Sequence, residues 1–224
     1  MHASSITPKF YRTYLVNVIL SLCVFFFPKI NLDLNQKTCT YTQLHAAPAL
    51  DAKKIQRPIK RLLKSIQYKK DSIALKSFDG HAQGVFLLSD AWSNQSKDEQ
   101  NRFVKSLHGF FTLIAFPNLR RDLEHLETII YEAPITEAQY VKQTAKIVVL
   151  HALKKQEVNV EFILKPTDKK NWLIFDFTIG VGDTFLTKLK RDQIEPLFKA
   201  KGWSGMMQTM EDRITQLRTK AKER

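Results

Sequence analysis

The sequence predicts an α+β fold in which helices pack on a roughly four-stranded antiparallel meander sheet and enclose an apolar cavity. Apolar residues recur at helical spacing from residue 51 to about residue 126, and alternating, β-branched stretches follow as far as residue 179. Helices and strands in separate blocks favour one layer of helices on one sheet. Fifteen Phe and three Trp either fill the core or splay apart and leave a cavity between the layers.

Three helices are predicted in the first block. The first follows Asp51, the second runs from Ile73 to Trp92, and the third begins at the capping box Ser96–Glu99 and ends at Pro117. Glycines inside the second helix weaken it unless they allow close packing. The first helix is Lys-rich and faces the core or, alternatively, a membrane surface. Its apolar stripe is Ile55, Ile59, Leu62, Leu63 and Ile66.

Strands are predicted for the second block, where short turns separate four stretches and favour an antiparallel meander. If the last strand is regular, Asp176 lies on the opposite face from Phe175 and Phe177. The four stretches are residues 126–135, 140–153, 157–166 and 171–177.

The end of the chain is predicted to be helical. Gly180 and Gly182 form the turn that ends the last strand, Pro196 marks a restart of the next helix, and Gly202 ends that helix. The last helix buries one apolar stripe, formed by Met206, Met207, Met210, Ile214 and Leu217.

The first 49 residues predict a secretory signal. Lys9 and Arg12 precede the apolar run 14–27, and residues 47–49 provide an A-x-A cleavage site. The run is short for a membrane span; the alternatives are an uncleaved N-terminal anchor and a mis-assigned start. Residues 50–224 then form a single domain. Both cysteines precede the cleavage site, so the mature domain is expected to lack disulfides, thiolate metal sites and a Cys nucleophile.

The chain is strongly basic, with a formal net charge of +13 at pH 7. Such a surface suits anionic partners, whether nucleic acid, acidic protein or anionic lipid headgroups. Charge alone does not choose among them.

No metal ion or cofactor is predicted. The histidines show no paired ligand spacing, and the turn at residues 180–182 lacks the third glycine and the Lys-Ser/Thr ending of a nucleotide-binding loop. Asp176 is the candidate for chemistry, either as a general base in a half-dry pocket or as a structural carboxylate paired with a Lys or Arg. No second acid, nucleophile or orienting His is evident beside it, so we expect that the protein is not an enzyme.

The segment from residue 171 to residue 210 resembles a known C-terminal signature. NWLIFDFTIGVGDTFL and then KRDQIEPLFKAKGWSGMMQTM are similar to the end of the MlaC family, the toluene-tolerance auxiliary proteins. A weaker likeness extends back to about Phe78. The family usually has Ser and Tyr where this chain has Gly182 and Lys190. A Trp-led strand with an internal Asp, a Gly-Val turn, an Arg-bearing helix and a final Gly correspond here to Trp172, Asp176, Gly180-Val181, Arg191 and Gly202.

This resemblance implies a carrier without catalytic chemistry. Its members are periplasmic phospholipid-binding components of an ABC transport system, so a monomer is expected that carries glycerophospholipid between an inner-membrane ABC transporter complex and an outer-membrane lipoprotein complex. An enzyme that uses Asp176 as base and a basic nucleic-acid-binding module are the alternatives. Export argues against a nucleic-acid partner.

Candidate lipid-binding residues follow from periodicity within the predicted elements. The predicted pocket consists of Phe86, Phe103, Leu107, Phe110, Val149, Phe162, Phe175, Phe177, Ile179 and Phe185. The cations just after the glycine turn, predicted to meet the headgroup phosphate, are Lys188, Lys190 and Arg191.

Overall fold

The computed structural model describes residues 51–151, 154–167 and 171–223, so the predicted signal at residues 1–49 lies outside it. The helices are α1 (Ala52–Gln67), α2 (Asp71–Leu75), α3 (Gly80–Leu88), α4 (Asp90–Ser93), α5 (Lys97–Phe110), α6 (Phe116–Leu123), α7 (Phe185–Leu189) and α8 (Glu195–Lys222). The strands are β1 (Leu126–Tyr131), β2 (Ile135–Glu137), β3 (Tyr140–His151), β4 (Lys154–Pro166) and β5 (Trp172–Ile179).

The first helix is confirmed and faces the core. Its N-cap is Asp51, whose Oδ1 accepts hydrogen bonds from the N–H groups of Lys53 and Lys54 at 3.1 and 3.3 Å. All five residues of the predicted stripe are buried. The stripe packs against the sheet, and its contacts with β5 place α1 beside the last strand.

The second predicted helix, Ile73 to Trp92, is wrong because the structure breaks it twice. Phe78 leaves the helix to bridge Ile174 of β5, and Ser89 adopts a positive φ of 47° between α3 and α4. Here the backbone hydrogen bonds to β5 outweigh the helical spacing of the apolar residues. The close packing expected at the glycines is confirmed, since a Cβ on Gly84 would clash with the ring of Trp92.

The third helix starts as predicted but does not end at Pro117. Ser96 Oγ accepts from the Glu99 N–H at 3.3 Å, whereas the Glu99 carboxylate accepts from Trp203 Nε1 at 2.7 Å. One π-helical turn, residues 111–115, carries the chain on into α6. Pro117 lies in the first turn of α6, directly after the π-helical turn, and the helical backbone continues through it.

The sheet confirms the antiparallel meander. Its order is β1-β3-β4-β5, and β2 continues the β1 edge along β3. The first predicted strand is therefore split in two, with Pro134 in the gap. One face packs on the helices, and the other carries ion pairs such as Lys146 with Glu157 at 3.2 Å.

A β-bulge interrupts the last strand. Ile163 pairs with Asp176 and Leu164 pairs with Ile174, so Phe175 is an extra residue on β5. The condition of a regular strand is therefore not met, and Phe175 and Phe177 do not occupy equivalent positions. Phe175 stacks on Tyr140 at 5.4 Å between ring centroids, and Phe177 continues the alternation on the far side of the bulge.

The C-terminal helices agree with the sequence. A π-helical turn at residues 190–194 precedes α8, Pro196 lies in its first turn, and Gly202 breaks it with a φ of 63°. Met206, Met207, Met210 and Ile214 are buried as predicted, and Leu217 is partly buried. Across the described residues, no helix has the length and apolar character needed to cross a bilayer.

Candidate functional site

An apolar cavity of about 80 Å³ lies between α1, the junction of α5 and α6, and the helix-facing side of the sheet. Fourteen of its fifteen lining side chains are apolar, and Asp122 contributes the one carboxylate. Such a lining excludes polar ligands and favours hydrocarbon. The apolar set is Leu62, Leu63, Ile66, Phe78, Phe111, Ala115, Phe116, Leu119, Ile147, Val160, Phe162, Phe177, Ile179 and Phe185.

The strand register determines which residues of the sheet line this cavity. Phe162 of β4 is opposite Phe177 of β5, and Val160 is opposite Ile179. These residues alternate with outward-facing ones, so they share one side of the sheet. The bulge at Phe175 precedes them and sets which residues of β5 reach the cavity.

Aromatic rings form the wall between the sheet and the helices. Phe177 stacks on Phe185 with centroids 5.0 Å apart and planes 7° apart. Phe185 is 5.8 Å from Phe111, which is 5.2 Å from Phe78. The wall therefore runs from β5 through α7 to the turn before α3.

A smaller void of about 30 Å³ lies on the side of α8. Leu107, Phe110 and Met210 line it, and Phe111 and Phe185 line both voids. The two voids therefore have these two rings as common walls.

The structure divides the ten predicted pocket residues into three groups. Phe162, Phe177, Ile179 and Phe185 line the cavity, and Leu107 and Phe110 line the smaller void. The other four lie away from both. Phe103 packs between Trp92 and Trp203, Phe86 and Phe175 pack on each other, and Val149 is buried near the end of β3.

Sequence reasoning missed most of the helical lining. Leu62, Leu63 and Ile66 were recognised as an apolar stripe but not as ligand-facing residues. Ile147 and Val160 share the alternation that identified Phe162, so their signal was present in the sequence. Phe78 carried no such signal, because a bridge to Ile174 outside any predicted strand places it there.

The fold is similar to that of a phospholipid-binding protein. The solved structure, from Ralstonia solanacearum in complex with a phospholipid, matches with a TM-score of 0.59 and 14% sequence identity, covering 74% of this chain and 97% of that chain. This likeness confirms the α+β fold. No protein-family model matches the sequence, and no curated protein matches it.

The three predicted headgroup cations do not line this cavity. Arg191 is 2.6 Å from Asp183 and 2.7 Å from Asp192. Lys190 Nζ contacts Ser89 Oγ at 3.0 Å and lies over the ring of Phe86. Lys188 is partly buried on α7. Local acidic and polar partners therefore account for two of the three positive charges.

Asp176 is buried beside the N-terminal turn of α7. Its side chain is 3% exposed, and Oδ1 accepts from the N–H groups of Leu186 at 2.9 Å and Phe177 at 2.8 Å. Burial raises its pKa to about 6, although hydrogen bonds from the Thr184 hydroxyl and these two N–H groups favour the charged form. The predicted Lys or Arg partner is replaced by backbone donors, and Asp176 is not part of the cavity lining.

The part of the chain that the structure describes contains no cluster of side chains suited to bind a metal ion. No three His, Cys, Asp or Glu side chains come together there. His108, for example, is partly buried in α5, and burial lowers its pKa.

Proposed function

We propose that the protein is a phospholipid carrier that holds acyl chains in the cavity between α1 and the sheet. The lining supports this, because fourteen apolar side chains surround a void in a fold like that of a solved phospholipid complex. Burial of hydrocarbon contributes about 0.8 kcal/mol for each CH₂ group, so even part of one acyl chain would bind favourably.

The void has to widen to accept a lipid. Its volume of about 80 Å³ is well below the roughly 300–1,000 Å³ of ordinary ligand sites. Phe111 and Phe185 stand between this void and the smaller one beside α8. Displacement of these two rings would join the voids, so we place the expansion of the cavity there.

The wider role in the proposal is transport without covalent chemistry. Asp176 accepts hydrogen bonds from backbone N–H groups and does not line the cavity, which supports a structural rather than a catalytic carboxylate. The MlaC-like segment from Trp172 to Gly202 and the signal-like first 49 residues support a monomeric periplasmic carrier. It would exchange glycerophospholipid with an inner-membrane ABC transporter complex and an outer-membrane lipoprotein complex.

Native mass spectrometry with lipid extraction tests the binding. The full chain, purified from a bacterial envelope, is expected to carry one phospholipid and to take up another from vesicles after delipidation. A cavity-filling variant, Ala115→Leu, is expected to lose both properties, because Ala115 lines the void.

A matched control is Ala91→Leu, which adds the same volume at a partly buried alanine outside the cavity. It should bind lipid as the wild type does, and circular dichroism should show both variants folded. A wild-type protein that purifies free of lipid and takes up none from vesicles would refute the proposal.

A further inference from the structure

A polar pocket of about 560 Å³, separate from both apolar voids, lies between the N-terminal half of α1 and the start of β5. Four of its lining side chains are cationic: Lys54, Arg57, Arg61 and Lys76. Trp172 forms part of its wall. The pocket shares no lining residue with the apolar cavity, so it is a separate site.

Arg61 is held in place by uncharged partners. Its Nε donates to Ser77 Oγ at 3.0 Å, and its Nη2 donates to the Lys76 carbonyl oxygen at 2.6 Å. Ser77 is fully buried, which anchors the guanidinium at the pocket wall. Among the described residues, nothing accepts a hydrogen bond from Nη1. The described residues thus orient the guanidinium through uncharged partners.

Among the residues that the structure describes, the positive charge of this pocket exceeds the negative charge. Burial, and then repulsion from Arg57 one turn away, lower the pKa of Arg61. Within the described ranges, Lys54 has an ion-pair partner in Asp51 at 3.6 Å, while Arg57, Arg61 and Lys76 have none. Elsewhere, Arg102, Arg120 and Arg191 each bind a carboxylate.

We propose that this pocket binds a phosphate group. Two guanidinium groups one turn apart can each offer paired N–H donors to phosphate oxygens, and Lys54 and Lys76 add charge around a dianion. The hydroxyl of Thr167 and the amide of Asn171 lie at the same pocket and supply uncharged donors. The space exceeds that of the bare ion, so an ester substituent is accommodated beside Trp172.

The phosphate comes either from a soluble ester or from the headgroup of a membrane lipid, and two binding measurements distinguish these sources. Calorimetric titration of the full chain with inorganic phosphate and with glycerol 3-phosphate measures the binding of soluble phosphate compounds. Co-sedimentation with phosphatidylglycerol vesicles, compared with phosphatidylcholine vesicles, measures the binding of a lipid headgroup at a membrane.

Arg57→Gln is the decisive variant because Arg57 is exposed and has no bond that the fold needs. Lys64→Gln removes the same charge from the same helix outside the pocket. We expect Arg57→Gln, and independently Lys76→Gln, to weaken binding about tenfold or more, as loss of a hydrogen bond to a charged group implies. Lys64→Gln and the cavity-filling Ala115→Leu should leave it unchanged.

Weaker soluble phosphate binding in Arg57→Gln identifies a soluble ester, and an effect confined to phosphatidylglycerol vesicles identifies a lipid headgroup. Equal effects of Arg57→Gln and Lys64→Gln would show attraction by overall charge alone and overturn the site. Absence of binding in both measurements would overturn it as well. Neither result would affect acyl-chain loading, which is read out separately by lipid extraction.

Discussion

The apolar cavity and the basic pocket are built on the same two elements, α1 and β5, yet they share no residue. On α1, Arg61 faces the pocket while the adjacent Leu62 faces the cavity. On β5, Trp172 lines the pocket and Phe177 lines the cavity, with the bulge between them. Apolar residues at one site stabilise the fold, whereas repulsion between Arg57 and Arg61 at the other opposes it. Substitutions at the cavity should therefore change the free energy of unfolding strongly, whereas substitutions at the pocket should change it little.

Truncation of a side chain in the cavity wall is expected to have the largest effect on the free energy of unfolding. Phe162→Ala removes a ring that is 3% exposed and enlarges an existing void, so it should lower the free energy of unfolding by roughly 3–5 kcal/mol. Urea denaturation measures this. A loss below about 1 kcal/mol would mean that the surrounding side chains collapse into the space, and the cavity would not be a persistent feature.

Asp176, which follows the bulge, should make stability depend on pH. Its pKa rises from the ordinary 3.8 to about 6 on folding, so the folded state holds a proton that the unfolded state has lost between these values. The contribution of Asp176 to stability should therefore fall as pH rises from about 4 to 6, by up to about 3 kcal/mol. Urea denaturation across this range measures the slope.

Two variants at this position separate charge from hydrogen bonding. Asp176→Asn keeps an acceptor for the Leu186 N–H and should remove the Asp176 contribution, so that the difference in stability between wild type and variant changes with pH. Asp176→Ala leaves that N–H without its acceptor and should cost about 1–3 kcal/mol even where the carboxyl is neutral. If Asp176→Asn retained the wild-type slope, another group would be responsible.

Arg57→Gln should have the smallest effect on folding, within about 0.5 kcal/mol. Because it removes repulsion with Arg61, any change should be a gain in stability at low ionic strength that disappears as salt screens the charges. Urea denaturation at two salt concentrations, with Lys64→Gln as the reference, measures this. A large loss would show that Arg57 supports the fold and would remove the contrast between the two sites.

Local signals in the sequence predicted the elements that local interactions form. Asp51 and Ser96 cap the helices that follow them, and the alternation in residues 140–166 became the β3–β4 hairpin. The buried stripe at Met206, Met207 and Met210 was also predictable, because helical spacing alone determines which side faces the core.

Features that depend on distant partners were not predictable. The break at Phe78 arises from pairing with Ile174, and the bulge at Phe175 arises from the register against β4. No glycine or proline lies at either position, although Asp79 caps α3 directly after Phe78. The ion pairs of Arg191 with Asp183 and Asp192 were not predicted either, and its role at a headgroup stays a prediction.

The packing of α1 on β5 has a consequence for the order of folding. The β3–β4 hairpin joins neighbouring segments and can form early, but residues 52–67 must wait for residues 172–179. Contacts between such distant segments form late because closing the long intervening loop costs entropy. On a ribosome, α1 emerges without its partner strand. We therefore expect the apolar cavity and the basic pocket to form late in folding, because both need α1 packed beside β5.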